Sequence, residues 1–93
     1  MIRSFADRET ELVWRGIRSR RLPEDIQRRG FRKLLMIEAA EAVGDLREPP
    51  SNRLEMLKGE RKGQWSIRIN DQWRICFRWE SGYAEAVEIV DYP

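Results

Sequence analysis

The strongest constraint on this chain is a change of period. From residue 65 onward the apolar residues recur at every second position. In WSIRI they are Trp65, Ile67 and Ile69, and in WRICFRW they are Trp73, Ile75, Phe77 and Trp79. Successive side chains of a strand point to opposite faces, so both runs predict amphipathic strands with one buried side. The other side carries Ser66 and Arg68, then Arg74, Cys76 and Arg78. The connection fixes how the strands meet. A two-residue turn at Asn70-Asp71 sets Ile67 against Arg74 and mixes the faces, because a slip of one residue turns every side chain over. A three-residue loop, Asn70-Asp71-Gln72, sets Ile69 beside Trp73, Ile67 beside Ile75 and Arg68 opposite Arg74.

Upstream of that point the period is helical. IRSF, at 2–5, alternates briefly and predicts a first strand. Ser4 or Asp7 can cap a short helix from about 7 to 17, with Asp7, Glu9 and Glu11 in its first turns and Trp14 and Ile17 as anchors. The basic link RSRRL leads to Pro23, a suitable first helical residue, and to Glu24 and Asp25. A long helix follows, with Ile26, Gly30, Leu34, Ile37 and Glu41 on one stripe and Phe31, Leu35, Ala39 and Ala42 beside it. Gly30 either weakens its middle or marks close packing, and Gly44 is its expected stop. GDLREPPSN is a loop, since paired prolines cannot continue a helix. Beyond Trp79, ESG predicts a three-residue hairpin with Gly82 left-handed, and YAEAVEIV a last strand in a register that sets Glu85 opposite Phe77. The fold class is therefore α+β. Two N-terminal helices pack on one face of a small, mainly antiparallel four-stranded sheet, in the order strand, helix, helix, strand, strand, strand, and the other face stays open.

Ninety-three residues suffice for one domain, spanning 1–93, and one core. Hydrophobic residues at 41% and charged ones at 37% suit a soluble globular domain rather than a disordered segment. No apolar run has the length of a membrane span and MIRSFADRE lacks the apolar block of a signal peptide, so the expected compartment is the cytoplasm. The lone Cys76 excludes an internal disulfide. The absence of histidine excludes Ser-His and Cys-His nucleophile systems and leaves Glu, Asp, Lys, Arg and Tyr for any catalysis.

The net charge of +2 conceals an uneven distribution. Residues 1–33 hold 10 Lys/Arg against 5 Asp/Glu, and 51–74 hold 6 against 3, whereas 34–50 and 75–93 are each 1 against 4. One side should be basic and suited to a polyanion. Arg68 opposite Arg74, with Arg78 nearby, places like charges together at an electrostatic cost. Either the guanidinium groups splay into water or pair with Glu88 and Glu80, or they hold an anion. Arg74 and Arg78 are separated by about 13 Å along a strand at ~3.4 Å per residue, which suits different phosphates of one chain. Glu55 sits among Arg53, Lys58, Arg61 and Lys62, where a carboxylate stays ionised and can accept a proton, or is a solvated charge. Lys58-Gly59 can present an amine and a backbone amide to a phosphate, or form a plain turn.

RLEMLKGERKGQWSIRINDQWRICFRW, followed by VEIVDYP, resembles the HigB branch of the RelE/ParE toxin superfamily, whose members carry a similar series of LKG, WSIR, WRI and DY. The likeness extends to MIRSF and GDLREPPSNRLE and so spans essentially the whole chain. The resemblance implies two helices on a small sheet. It also implies the toxin of a type II toxin-antitoxin system. Such a toxin is a ribosome-dependent endoribonuclease that cleaves messenger RNA in the ribosomal A site by metal-independent 2′-hydroxyl attack, inhibiting translation and growth. No cofactor is implied. The implied partners are a HigA-like helix-turn-helix antitoxin, the ribosome and messenger RNA, with operator DNA reached only through the antitoxin complex and no membrane.

By the same resemblance Glu55 matches the general base that precedes LKG, although the HigB branch often has His there. Arg74 matches the WRI arginine that stabilises the scissile phosphate, aided by Lys58. Asp91 and Tyr92 match the terminal DY pair. Beside these matches, the basic residues Arg53, Arg61, Lys62, Arg68 and Arg78 are expected, from their own charge, to bind RNA. Family members commonly continue with a His that serves as general acid. Here Pro93 stands in that place, leaving the proton donor unassigned and the activity weakened. The alternatives are a ParE-like toxin that inhibits a protein target such as gyrase, and an RNA-binding module without strong catalysis.

Overall fold

The computed structural model describes residues 1–91. Its elements are α1 (Arg8–Trp14), α2 (Glu24–Ala39), β1 (Glu55–Met56), β2 (Trp65–Arg68), β3 (Trp73–Glu80) and β4 (Tyr83–Asp91), with short 3-10 turns at Val43–Arg47, Pro50–Asn52 and Gly59–Arg61. The strands form one sheet in the order β1-β2-β3-β4, every pairing antiparallel. The fold class is the one expected, and several local expectations change.

The β2–β3 hairpin has the three-residue loop. Ile67 pairs with Ile75 and Arg68 with Arg74, and the Ile69 N–H donates to the Trp73 carbonyl at 2.9 Å. Asn70 shapes the loop, its Oδ1 accepting the N–H groups of Gln72 and Trp73 at 2.8 Å each. The β3–β4 turn is tighter than ESG suggested. Glu80 pairs with Tyr83, so only Ser81 and Gly82 turn, both left-handed at φ 50° and 86°. The shorter turn moves Glu85 opposite Arg78 rather than Phe77, and a bulge between Cys76 and Arg78 shifts the register once more and sets Cys76 opposite Glu88. Ala86, at φ 52°, absorbs the bulge.

The fourth strand of the sheet is β1, within a segment read as loop. IRSF is joined instead through isolated parallel bridges, Ile2 to Ala84 and Phe5 to Val87. The β4 bulge interrupts a continuous ladder there, and the Ser4 hydroxyl accepts the Ala86 N–H at 2.9 Å.

α1 ends at Trp14 because Gly16, at φ 77°, closes a Schellman motif. The Ile17 N–H reaches the Leu12 carbonyl at 2.9 Å and the Gly16 N–H reaches Val13 at 3.1 Å. Ile17 is therefore past the helix and 46% exposed, not an anchor, while Thr10 and Val13 are buried and Trp14 packs on Phe31 at 5.9 Å between ring centroids. α2 stops before Gly44, since Ala40 is extended and the Asp45 carboxylate takes the N–H groups of Glu41 and Ala42 at 3.0 and 3.1 Å. Ile26, Gly30, Leu34 and Ile37 are buried, whereas Leu35, Ala39 and Ala42 are exposed and Glu41 lies beyond the helix. Gly30 marks close packing: a Cβ there meets Ile89 Cδ1 at 3.2 Å.

The core lies between the helices and one sheet face, where Leu34, Ile37, Ile67, Ile75, Phe77 and Val87 are fully buried. Ser66 and Cys76, on the face expected to be open, are fully buried as well. No helix among the described residues is long and apolar enough to cross a membrane.

Candidate functional site

The pairing aligns four residues across the sheet on the face away from the helices: Glu55 beside Ser66, Ser66 beside Cys76, and Cys76 beside Glu88. The next row contains Arg68 and Arg74. Alternation thus gathers on one face a carboxylate from the edge strand and guanidinium groups from the centre. Their side chains explain why Ser66 and Cys76 lose contact with water. Arg74 reaches onto Ser66, and Arg61 bonds to Gln64 and Glu88 at 3.0 and 3.3 Å beside Cys76. Burial pushes the Cys76 thiol above its ordinary pKa, which makes it a poor nucleophile.

Arg74 is the best-fastened cation of this face. Its Nε donates to Ser66 Oγ at 2.9 Å, its Nη2 donates to the Arg53 carbonyl at 2.8 Å, and Glu55 Oε1 stands 3.6 Å from Nη2. The side chain is only 13% exposed, against 52% for Glu55. Two of the five N–H groups of the guanidinium are used in these hydrogen bonds, and Nη1 has no partner among the described residues. The planar fork is thereby held with donors still free, the arrangement that recognises the oxygens of a phosphate.

The support for Arg74 comes from a strained corner. Arg53 is left-handed at φ 46°, a conformation costing on the order of 1 kcal/mol for a non-glycine residue. The preceding residue holds it there. Asn52 is fully buried, donates from Nδ2 to the Leu46 and Glu48 carbonyls at 3.2 and 3.3 Å, and accepts Lys33 Nζ at 2.6 Å on Oδ1. Residues 46–53 are thus tied to α2, and the Arg53 carbonyl is aimed across the sheet edge.

The other candidates are placed less compactly. Arg68 lies opposite Arg74 but folds back onto Asp71, whose carboxyl it holds below the usual carboxylate range through a hydrogen bond and its charge. Glu88, one of the counter-ions considered for this row, is taken by Arg61. Arg78 is exposed above Gly63, where a Cβ would meet its Nη1 at 3.1 Å. Lys58 and Lys62 flank the Gly59–Arg61 turn, both exposed and without an ion pair among the described residues. Asp91 pairs with Trp73 and so falls on the helix-side alternation at the sheet end, where it accepts from Gln72 Nε2 at 2.9 Å rather than joining Glu55 and Arg74. The expectations for Tyr92 and Pro93 lie outside the described residues. Sequence reasoning missed Ser66 and the Arg53 carbonyl. Ser66 could have been found, being diagonal to Arg74 in the inferred register; the carbonyl carries no side-chain signal.

Comparison with known proteins bears on the family and the fold. A family model described as the RelE-like toxin of type II toxin-antitoxin system HigB matches residues 3–92. Toxin HigB-1 of Vibrio cholerae serotype O1 is 44% identical over 85 residues, covering 90% of each chain. Endoribonuclease HigB of Proteus vulgaris is 34% identical over 93 residues, covering 99% of each. The fold is also that of a chain in the YoeB-YefM complex from Staphylococcus aureus, with a TM-score of 0.63 at 14% identity, over 100% of this chain and 98% of that one. The chain belongs to the HigB-like family, the RelE-like toxins of type II toxin-antitoxin systems.

Proposed function

We propose that this toxin is a ribosome-dependent endoribonuclease that cleaves messenger RNA in the ribosomal A site, with Glu55 as general base and Arg74 as the phosphate clamp. The observation that carries the reading is the fastening of Arg74, with free donors, beside the Glu55 carboxylate at 3.6 Å. The name of the Proteus vulgaris relative, an endoribonuclease, supports the reaction class.

In the proposed reaction the ribose 2′-oxygen attacks the adjacent phosphorus while Glu55 takes the hydroxyl proton. The P–O5′ bond breaks, leaving a 2′,3′-cyclic phosphate, and the 5′-oxygen accepts a proton. Arg74, aided by Lys58 and Arg68, stabilises the charge on the pentacoordinate phosphorus, and no metal takes part. Tyr92 is assigned to stacking on RNA and Asp91 to the same margin. Pro93 cannot supply the last proton, so a lysine, tyrosine or water must, and the missing acid lowers the rate by about 10²- to 10⁴-fold. Arg53, Arg61, Lys62 and Arg78 are assigned to the RNA backbone. The whole of 1–93 acts as one cytoplasmic toxin domain, and a HigA-like antitoxin holds it and mediates any operator binding.

The test is expression in a translating extract with mapping of new 5′ ends, beside a ribosome-free control. Cuts should depend on ribosomes and vanish in Glu55→Ala and Arg74→Ala. Growth arrest with intact messages and altered DNA supercoiling would overturn the nuclease in favour of a gyrase-type target.

A further inference from the structure

A second cluster of cations lies around the sheet edge from Arg74. A cleft of about 270 Å³ opens between α2, the Pro50–Asn52 turn and the end of β2, lined by Arg29, Arg32, Lys33, Ser51, Arg68 and Ile69. Four of these residues are cationic and none of the lining residues is acidic. The cleft is smaller than the about 300–1,000 Å³ typical of sites for whole small molecules, so it suits a compact group.

Three of the four cations are held, not loose. Lys33 Nζ is fixed by Oδ1 of the fully buried Asn52 at 2.6 Å, and the Asn52 amide is oriented by two backbone carbonyls. Arg29 donates from Nη2 to the Ile69 carbonyl at 3.0 Å and also meets Asp25. Arg68 is joined to Asp71. Lys33 and Arg32 have no carboxylate partner among the described residues, so the cleft retains excess positive charge. Burial and the charges of Arg29 and Arg68 hold the Lys33 ammonium below the ordinary lysine pKa, a penalty that a bound anion relieves.

We propose that this cleft is a second phosphate subsite, gripping a non-reacting phosphodiester of the same RNA whose scissile group sits at Arg74. The inference rests on the reading of the toxin as acting on RNA. Continuity favours that occupant: Arg68 lines the cleft and stands directly opposite Arg74 across β2 and β3, so one strand of nucleic acid can pass from clamp to cleft. Converging guanidinium groups, an ammonium and the Ser51 hydroxyl match the several oxygens of a phosphate better than a single carboxylate.

The test uses Glu55→Gln protein and a short RNA with 2′-O-methyl riboses, which cannot be cut, followed by NMR. Lys33, Ser51 and Ile69 resonances should move together with those of Arg74, and inorganic phosphate alone should move the first group. Adding Arg32→Gln and Lys33→Gln should weaken RNA binding about tenfold and lower the slope of log K against log salt by about 1 per lost phosphate contact. Arg32→Gln alone, at an exposed position, keeps the test valid if the double variant misfolds. Unmoved Lys33 and Ile69 resonances, an unchanged salt slope, or a response only to an acidic antitoxin peptide would overturn the proposal. The two readings fail separately. Intact messages with a responding cleft sink the nuclease and leave the subsite, whereas cleavage with unchanged KM by Arg32→Gln/Lys33→Gln protein that retains Glu55 sinks the subsite and leaves the nuclease.

Discussion

The two faces of the sheet are both sealed, by opposite means. Against the helices Ile67, Ile75 and Phe77 are buried by other apolar side chains, and burial of that kind depends on area and fit. On the far face Ser66 and Cys76 are buried beneath arginines, and the seal consists of directed hydrogen bonds. The first face can therefore be altered only at the expense of the fold. The second concentrates charge where it is partly desolvated and oriented, and its alteration should be felt mainly in binding and rate.

The largest effect should come from the helix-side face. Phe77→Ala should cost about 3–5 kcal/mol, read as a lower urea midpoint, with cleavage per folded molecule nearly unchanged. If it instead abolished cleavage in protein still folded, the division between faces would fail. Arg74→Lys should keep the charge but lose the fork, reducing single-turnover cleavage by about 10²-fold, or ~2.7 kcal/mol, while moving the urea midpoint little. Ser66→Ala removes one acceptor from a guanidinium that is largely buried. It should cost about 1 kcal/mol in stability with a smaller loss of rate than Arg74→Lys, and an equal loss would make Ser66 more than a support.

The smallest effect concerns pH. Because Lys33 has its pKa lowered in the fold, first by burial and then by Arg29 and Arg68, the unfolded chain binds more protons than the folded one in the range just below the ordinary lysine pKa. Stability should therefore rise with pH through that range, as folded Lys33 loses its proton. Lys33→Met should flatten this rise in urea midpoints measured across the range, and saturating phosphate should flatten it in the unaltered protein.

How much was legible follows from how local each cause is. The β2–β3 register could be read because strict alternation and loop composition suffice for it, and that register alone makes Arg68 and Arg74 neighbours. The end of α1 was written in Gly16 but hidden by the apolar Ile17 beyond it. The end of α2 depends on a carboxylate reaching back from Asp45, which no helical period reveals. β1 is two exposed residues without a pattern, and the β4 bulge falls at an alanine with nothing in its chemistry to announce a left-handed backbone. At the site, Glu55 and Arg74 were marked by their motifs, whereas the corner at Arg53 arises from Asn52 and Lys33, nineteen residues apart in sequence.

The parallel bridges of the first residues to β4 bear on the order of assembly. The Arg3 N–H meets the Ala84 carbonyl at 2.8 Å and the Ala6 N–H meets Val87 at 3.0 Å, contacts between opposite ends of the sequence. Such contacts are of high order, and closing so long a loop is slow compared with forming a hairpin. Residues 2–6 must wait for residues 84–87 before their backbone is paired. The β2–β3–β4 meander can therefore form first and leave one edge of β4 open until residues 2–6 dock on it.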